Sequence, residues 1–195
     1  MKKFLTSRGG AVVICVVIVL LSTYFGAYRS LTVASREVAD GFSNGVTYTD
    51  DSGNTYLHKS IRSQILNRSE ASINLASVAD TFQEAKEEAQ ELRGAYNEVR
   101  DLIYNGGSLS ELYAANKLMG TAFDALYNVL SQAELDTKDA KRIEEYKTEM
   151  TGAAGEIETS GYNESVREFD RTVLSVFPTN ILKNICFVDT PELFE

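Results

Sequence analysis

The chain opens with a long apolar run and then changes to a spaced, two-faced pattern that persists almost to its end. From Ala11 to Tyr28 there is no charged residue, and the densest stretch reads AVVICVVIVLL. These 18 residues, at the rise of an α-helix, cover ~27 Å, close to the ~30 Å hydrocarbon core of a bilayer. Tyr24, Phe25 and Tyr28 stand at the far end, where an aromatic belt belongs. The pattern predicts a transmembrane helix over 11–28, behind a basic flank over 1–10 that holds Lys2, Lys3 and Arg8. A cleaved secretory signal fits less well. A cut after Ala27 puts Phe25, and one after Gly26 puts Tyr24, where a small residue is required. The run is therefore read as an uncleaved signal-anchor. The basic residues ahead of it outweigh Arg29 and Arg36, which are followed by Glu37 and Asp40. That asymmetry places the N-terminus in the cytoplasm and the rest of the chain outside the cell membrane.

Beyond the run, Leu31, Ala34, Val38 and Phe42 continue a helical spacing, which should end near Gly41–Gly45. A loop is expected over 43–56, with a small hairpin between Val46–Thr49 and Thr55–Leu57 as an option. Then comes the clearest periodicity in the chain. Ala71, Leu75, Val78, Phe82, Ala85, Ala89, Leu92, Tyr96, Val99 and Ile103 alternate by four and three, and the phase reaches back to Ile61 through polar Gln64 and Arg68. The spacing predicts one long helix over roughly 57–104, closed by Asn105-Gly106-Gly107.

Ser108 and Glu111 form a capping box, opening a helix to about Gln132 with Leu112, Ala115, Met119, Ala122, Leu126, Val129 and Ala133 on one stripe. Asp136 or Thr137 caps a last helix to about Val176. Its first stripe (Ile143, Tyr146, Met150, Ile157) is rotated against its second (Tyr162, Val166, Phe169, Val173, Val176), with Gly152, Gly155 and Gly161 between them allowing close approach or a break. Short connections make neighbours antiparallel. The expected fold is all-α: an antiparallel, up-and-down, roughly four-helix bundle over 29–195, with the transmembrane helix continuing into its first helix.

Charge and chemistry narrow the function classes. With 19 Lys and Arg against 28 Asp and Glu, the net charge is −9, which argues against nucleic acid as a partner. Cys15 lies in the apolar run and Cys186 near the other end, so no disulfide framework is expected. The single histidine, His58, cannot serve both halves of a Glu-x-x-His di-metal site, and no Gly-x-Ser-x-Gly or phosphate loop is present. Glu84, Glu87, Glu88 and Glu91 flank a seam and read as a solvated face. Asp50–Asn54 lacks the distal glutamate of a calcium loop. No catalytic residue, metal site or cofactor is expected.

The C-terminal stretch carries the one compact motif. Tyr162-Asn163, Phe169-Asp170 and Phe177-Pro178 fall on one helical register, and Phe187, Pro191 and Phe194 follow. The residue before a proline leaves the helical region, so the helix should end at Phe177. The tail over 178–195, with Ile181, Leu182, Ile185, Phe187, Leu193 and Phe194, is too apolar for solvent and should fold back on the bundle. This motif resembles the C-terminal signature of the LemA family: a repeated Tyr-Asn pair, a Phe-Pro helix end, then a Phe and a Pro-x-x-Phe. Phe169-Asp170 stands in place of the second Tyr-Asn, and the paired arginines and Asp-Leu-Ile-Pro stretch of the family's second helix are missing here. The resemblance implies a membrane-anchored helical bundle of the bacterial envelope and no defined activity. Aromatic-amide pairs on a helical seam usually specify packing, so the motif residues are read as structural.

Three functional expectations follow. The first is a non-enzymatic, single-pass scaffold that binds a protein or lipid partner. The second is a homo-oligomer paired through the 71–103 seam as a coiled coil, and the third a membrane-associated enzyme or metal binder.

Overall fold

A computed structural model describes residues 8–195; Lys2 and Lys3, which carry much of the basic flank, lie outside the described residues. The described residues are all-α apart from one small hairpin. Helix α1 spans Arg8–Asn44 and contains a segment long and apolar enough to cross a membrane, with mean hydropathy 2.4 over its best window. Gly45, at φ +86°, ends it in a conformation that a side chain disfavours. The hairpin is the one the turn residues allow: β1 (Thr47–Thr49) pairs antiparallel with β2 (Thr55–Leu57), Tyr48 opposite Tyr56. Then follow α2 (Ile61–Val78), two 3-10 turns over 79–85, α3 (Lys86–Asn105), α4 (Leu109–Gln132) and α5 (Thr137–Glu158). Helix α6 (Tyr162–Phe169), a wider π turn (Asp170–Leu174) and α7 (Thr179–Ile185) complete the order.

The local signals at α4 and α5 are borne out. Ser108 caps α4, accepting from the Glu111 amide while the Glu111 carboxylate accepts from the Ser108 amide. Asp136 accepts from the Asp139 amide at the start of α5. Each such cap is worth roughly 1 kcal/mol.

The long helix expected over 57–104 is instead two helices. Phe82 is extended at φ −112°, ψ 114°, and the chain turns back there. Arg93 closes the turn, donating to the Ala76 carbonyl at 2.9 Å and to Asp80 at 2.8 Å. Tertiary burial overrides the helical spacing, because folding back seals Ala71, Leu75, Ala85, Ala89, Leu92 and Val99 inside one chain, each at most 2% exposed. Those six of the ten seam residues are thus covered by the chain itself.

The helix expected over 137–176 is also interrupted. Gly161, at φ +71°, makes the turn between α5 and α6. Gly152 and Gly155 are not close-approach points, since a Cβ on either would meet nothing within 4 Å. The π turn widens the helix after Phe169, with the Ser175 amide reaching the Asp170 carbonyl at 2.8 Å. The shared register of the motif is lost there, and the helix stops short of Phe177.

The chain forms two compact units. One takes residues up to Val38 together with Arg167–Pro191; the other takes Ala39–Val166 and Glu192–Glu195. In the second unit α2 packs on α3, α4 and α5, and α4 on α3 and α5. Lys59 pairs with Glu156 at 3.1 Å and Lys147 with Asp124 at 2.7 Å. Its core holds Ile65, Leu75, Leu92, Met119, Phe123 and Leu126, all fully buried. Helix α1 contributes residues 39–44 to this unit. In the first unit, Leu31 is buried with Phe169 and Leu174, against Ala34, Val38, Val173, Leu182 and Val188.

Candidate functional site

The C-terminal motif separates into three settings. In the second unit, Tyr162 and Asn163 grip the residues around Phe194. The Tyr162 hydroxyl donates to the Glu192 carbonyl at 2.8 Å. Burial, and secondarily the negative Glu192, pushes its pKa up to about 12, so it stays a donor. Asn163 presents both ends of its amide: Nδ2 donates to the Phe194 carbonyl at 2.9 Å, and Oδ1 accepts from the Phe194 amide at 2.8 Å. One side chain thus pairs with the backbone as a neighbouring strand would. The Phe194 ring lies 5.7 Å from Phe42 and 5.3 Å from Tyr113, and Phe42 meets Tyr162 edge-on at 5.8 Å. The Glu192 carboxylate accepts from the Leu109 amide at 2.9 Å, placing negative charge at the first turn of α4. A Cβ on Gly41 would stand 3.5 Å from the Tyr162 ring and 3.1 Å from Val46, so the close approach of α1 to this cluster favours glycine.

In the first unit, Phe169 packs in the Leu31 cluster. Asp170 lies 3.8 Å from Lys183 and accepts from Ser175 Oγ at 3.3 Å. Ser35 Oγ donates to the Asp189 carbonyl. The third setting is solvent. Phe177, joined to Pro178 by a cis peptide, and Phe187 are 80% and 85% exposed. The motif therefore builds packing and hydrogen bonds in two places rather than one site. Pro191 is half-buried where the chain passes from one unit to the other.

Sequence reasoning missed a polar arrangement inside the second unit. Arg68 is 9% exposed; its Nη1 donates to Asn116 Oδ1 at 2.7 Å and its Nε to Met150 Sδ at 3.4 Å. Burial lowers its pKa, against a smaller opposing pull from Asp124. Arg68 sat on the apolar phase of α2, which was the signal that it points inward. Nearby, a groove of about 450 Å³ runs between α2 and α5, lined by Lys59, Asn67, Glu70, Tyr146, Glu149 and Glu156 among others. Its lining is amide, phenol and charge, suited to polar contacts along a partner chain rather than to enclosing a small apolar ligand.

The remaining chemically active residues have local roles. The His58 ring lies 5.3 Å from Tyr48, which stacks on Tyr56 at 5.6 Å. Cys186 is buried, with Sγ 4.0 Å from the Tyr24 carbonyl. The Asp50 carboxylate accepts from the Asn54 amide, the Asn54 side chain and the Ser52 amide, at 2.8, 3.1 and 2.9 Å, and these bonds lower its pKa. Its lone pairs organise the turn. Among the described residues, no three His, Cys, Asp or Glu side chains converge as a metal site would need. Compared with protein-family models, curated proteins and solved structures, the chain matches none.

Proposed function

We propose that this protein is a single-pass membrane protein of the bacterial envelope, similar to the LemA family, whose helical part lies outside the cytoplasm and binds a protein partner without catalysis. The observation that carries this reading is the surface of α1. Every large apolar side chain from Val12 to Leu21 is between 36% and 63% exposed. Burying the part still exposed would gain each roughly 1 kcal/mol, and no other part of the described chain covers it. A bilayer does. The antiparallel pairings Lys59–Glu156, Arg93–Asp80 and Lys147–Asp124 support an up-and-down, four-helix arrangement of α2 to α5. The mutual grip of Asn163 and Phe194 supports the family likeness, because it gives two separated parts of the motif one reason to occur together. The open polar groove between α2 and α5 is the surface best suited to a partner.

The test has two arms. The full chain should remain in membranes after alkaline carbonate washing, and protease added to intact spheroplasts should digest its helical part. Release by carbonate removes the anchor, and digestion only after lysis reverses the orientation. In intact cells, a photo-crosslinking residue at Asn67 in the groove should capture a discrete partner that the same residue at exposed Glu98 does not. Equal labelling at both positions removes the groove as the binding surface.

A further inference from the structure

Within the first unit, the segment 172–188 carries one charged residue, Lys183, and that residue pairs with Asp170. Helix α7 is apolar on two sides. Its inner side is used: Leu182 packs on the Leu31, Phe169 and Leu174 cluster, and Cys186 is buried against the Tyr24 carbonyl. Its outer side is not. Ile181 and Ile185 are 51% and 52% exposed, and the flanking Phe177 and Phe187 are the most exposed aromatic residues among those described. Four large apolar side chains on one short segment, unpaired by any charge, form a patch that water does not favour.

The contact between Cys186 and Tyr24 fixes where this patch sits along α1. Tyr24 lies four residues before Tyr28, the far end of the apolar run, which at helical rise is about 6 Å inside it. Phe25 and Tyr28, exposed on α1, mark the same depth as the headgroup boundary. Asn180 and Asn184 stand exposed beside Ile181 and Ile185, giving the outer side the polar edge of an interfacial helix.

We infer that Phe177, Ile181, Ile185 and Phe187 dip into the outer leaflet of the bilayer that α1 spans, so that the protein holds the membrane by α7 as well as by α1. This rests on the membrane reading of α1, with which the patch is continuous through the Cys186–Tyr24 contact. Lipid, rather than a second copy or a protein partner, is the occupant because the patch lies at the level of a segment already inside the bilayer.

The chain contains no tryptophan, so one introduced residue reports alone. The full-length variants I18W, F187W, I185W and V33W would be reconstituted into phosphatidylcholine vesicles with or without bromine on the acyl chains, with helicity checked by circular dichroism. Emission from I18W should be quenched by bromines deep in the acyl chain. That from F187W and I185W should shift to the blue and be quenched by bromines near the headgroup. V33W, nine residues past Tyr24 on α1, should stay unquenched. Quenching of I18W without quenching of F187W or I185W overturns the interfacial assignment alone, and blue-shifted but unquenched emission from them assigns the patch to protein instead. An unquenched I18W overturns the membrane reading of α1 and this inference with it. Either reporter at α7 suffices if the other variant fails to fold.

Discussion

Asn163 holds the backbone of Phe194 by both of its hydrogen-bonding groups at once, Nδ2 to the carbonyl and Oδ1 to the amide. An asparagine is the smallest side chain that can offer a donor and an acceptor in that geometry. Replacing it with alanine should cost about 1–3 kcal/mol, since two half-buried backbone groups lose their partner. Asn163→Asp keeps the acceptor but turns a second acceptor towards the Phe194 carbonyl, and it should cost at least as much. Thermal melts of the detergent-solubilised chain measure both. A melt unchanged by Asn163→Ala would show that the grip contributes nothing.

Phe194 itself, 3% exposed between the rings of Phe42 and Tyr113, should be costlier to truncate. Phe194→Ala is expected to lose about 3–5 kcal/mol. It should also raise the rate of proteolysis near Phe42, whose ring would lose a neighbour.

Tyr162 gives a prediction in pH. Its folded pKa, about 12, stands above the ordinary 10.0, so folding favours the protonated phenol. The stabilisation is fully present below pH 10 and is lost as the pH rises towards 12. The difference in denaturation midpoint between the natural chain and Tyr162→Phe should therefore be constant at neutral pH and shrink or reverse across that window. Taking the difference cancels the other tyrosines. A difference independent of pH up to 12 would contradict the assignment.

Arg68 is a buried cation whose closest acceptor is neutral Asn116. Asn116→Ala leaves the guanidinium short of an acceptor and should cost about 1–3 kcal/mol. Arg68→Met keeps the length of the side chain and removes the buried charge, but it leaves Asn116 Oδ1 without its donor and should also cost about 1–3 kcal/mol. The double variant should recover most of what Asn116→Ala loses. Urea titrations of the four proteins form the cycle, and simple additivity would show that the two residues do not interact.

Much of this fold was legible because its signals are local. The Ser108–Glu111 box and the Asp136 cap each depend on residues within a few positions of one another, and both stand where their spacing predicts. The reversal at Phe82 was not legible, for a definite reason. A four-and-three spacing is satisfied equally by one long helix and by two that fold back, because both keep the same residues on the buried side. Only the choice between a partner in another chain and a partner in the same chain separates them, and spacing carries no information about that. The glycines show the same limit: Gly161 serves its backbone freedom, whereas Gly152 and Gly155 serve no contact. The motif residues were found as a set, but the set divides between the units at Arg167, within α6, where no residue type marks a boundary.

The burial of Leu31 beneath Phe169 and Leu174 imposes an order in time. These partners are separated by 169 − 31 = 138 positions, which a ribosome needs roughly 7–28 s to add. For that interval the apolar side of α1 around Leu31 has no part of its own chain to rest against. The lobe formed by Arg167–Pro191 closes over it only late in synthesis. On the membrane reading proposed above, the nascent protein would be anchored long before it is finished, with this shoulder still uncovered.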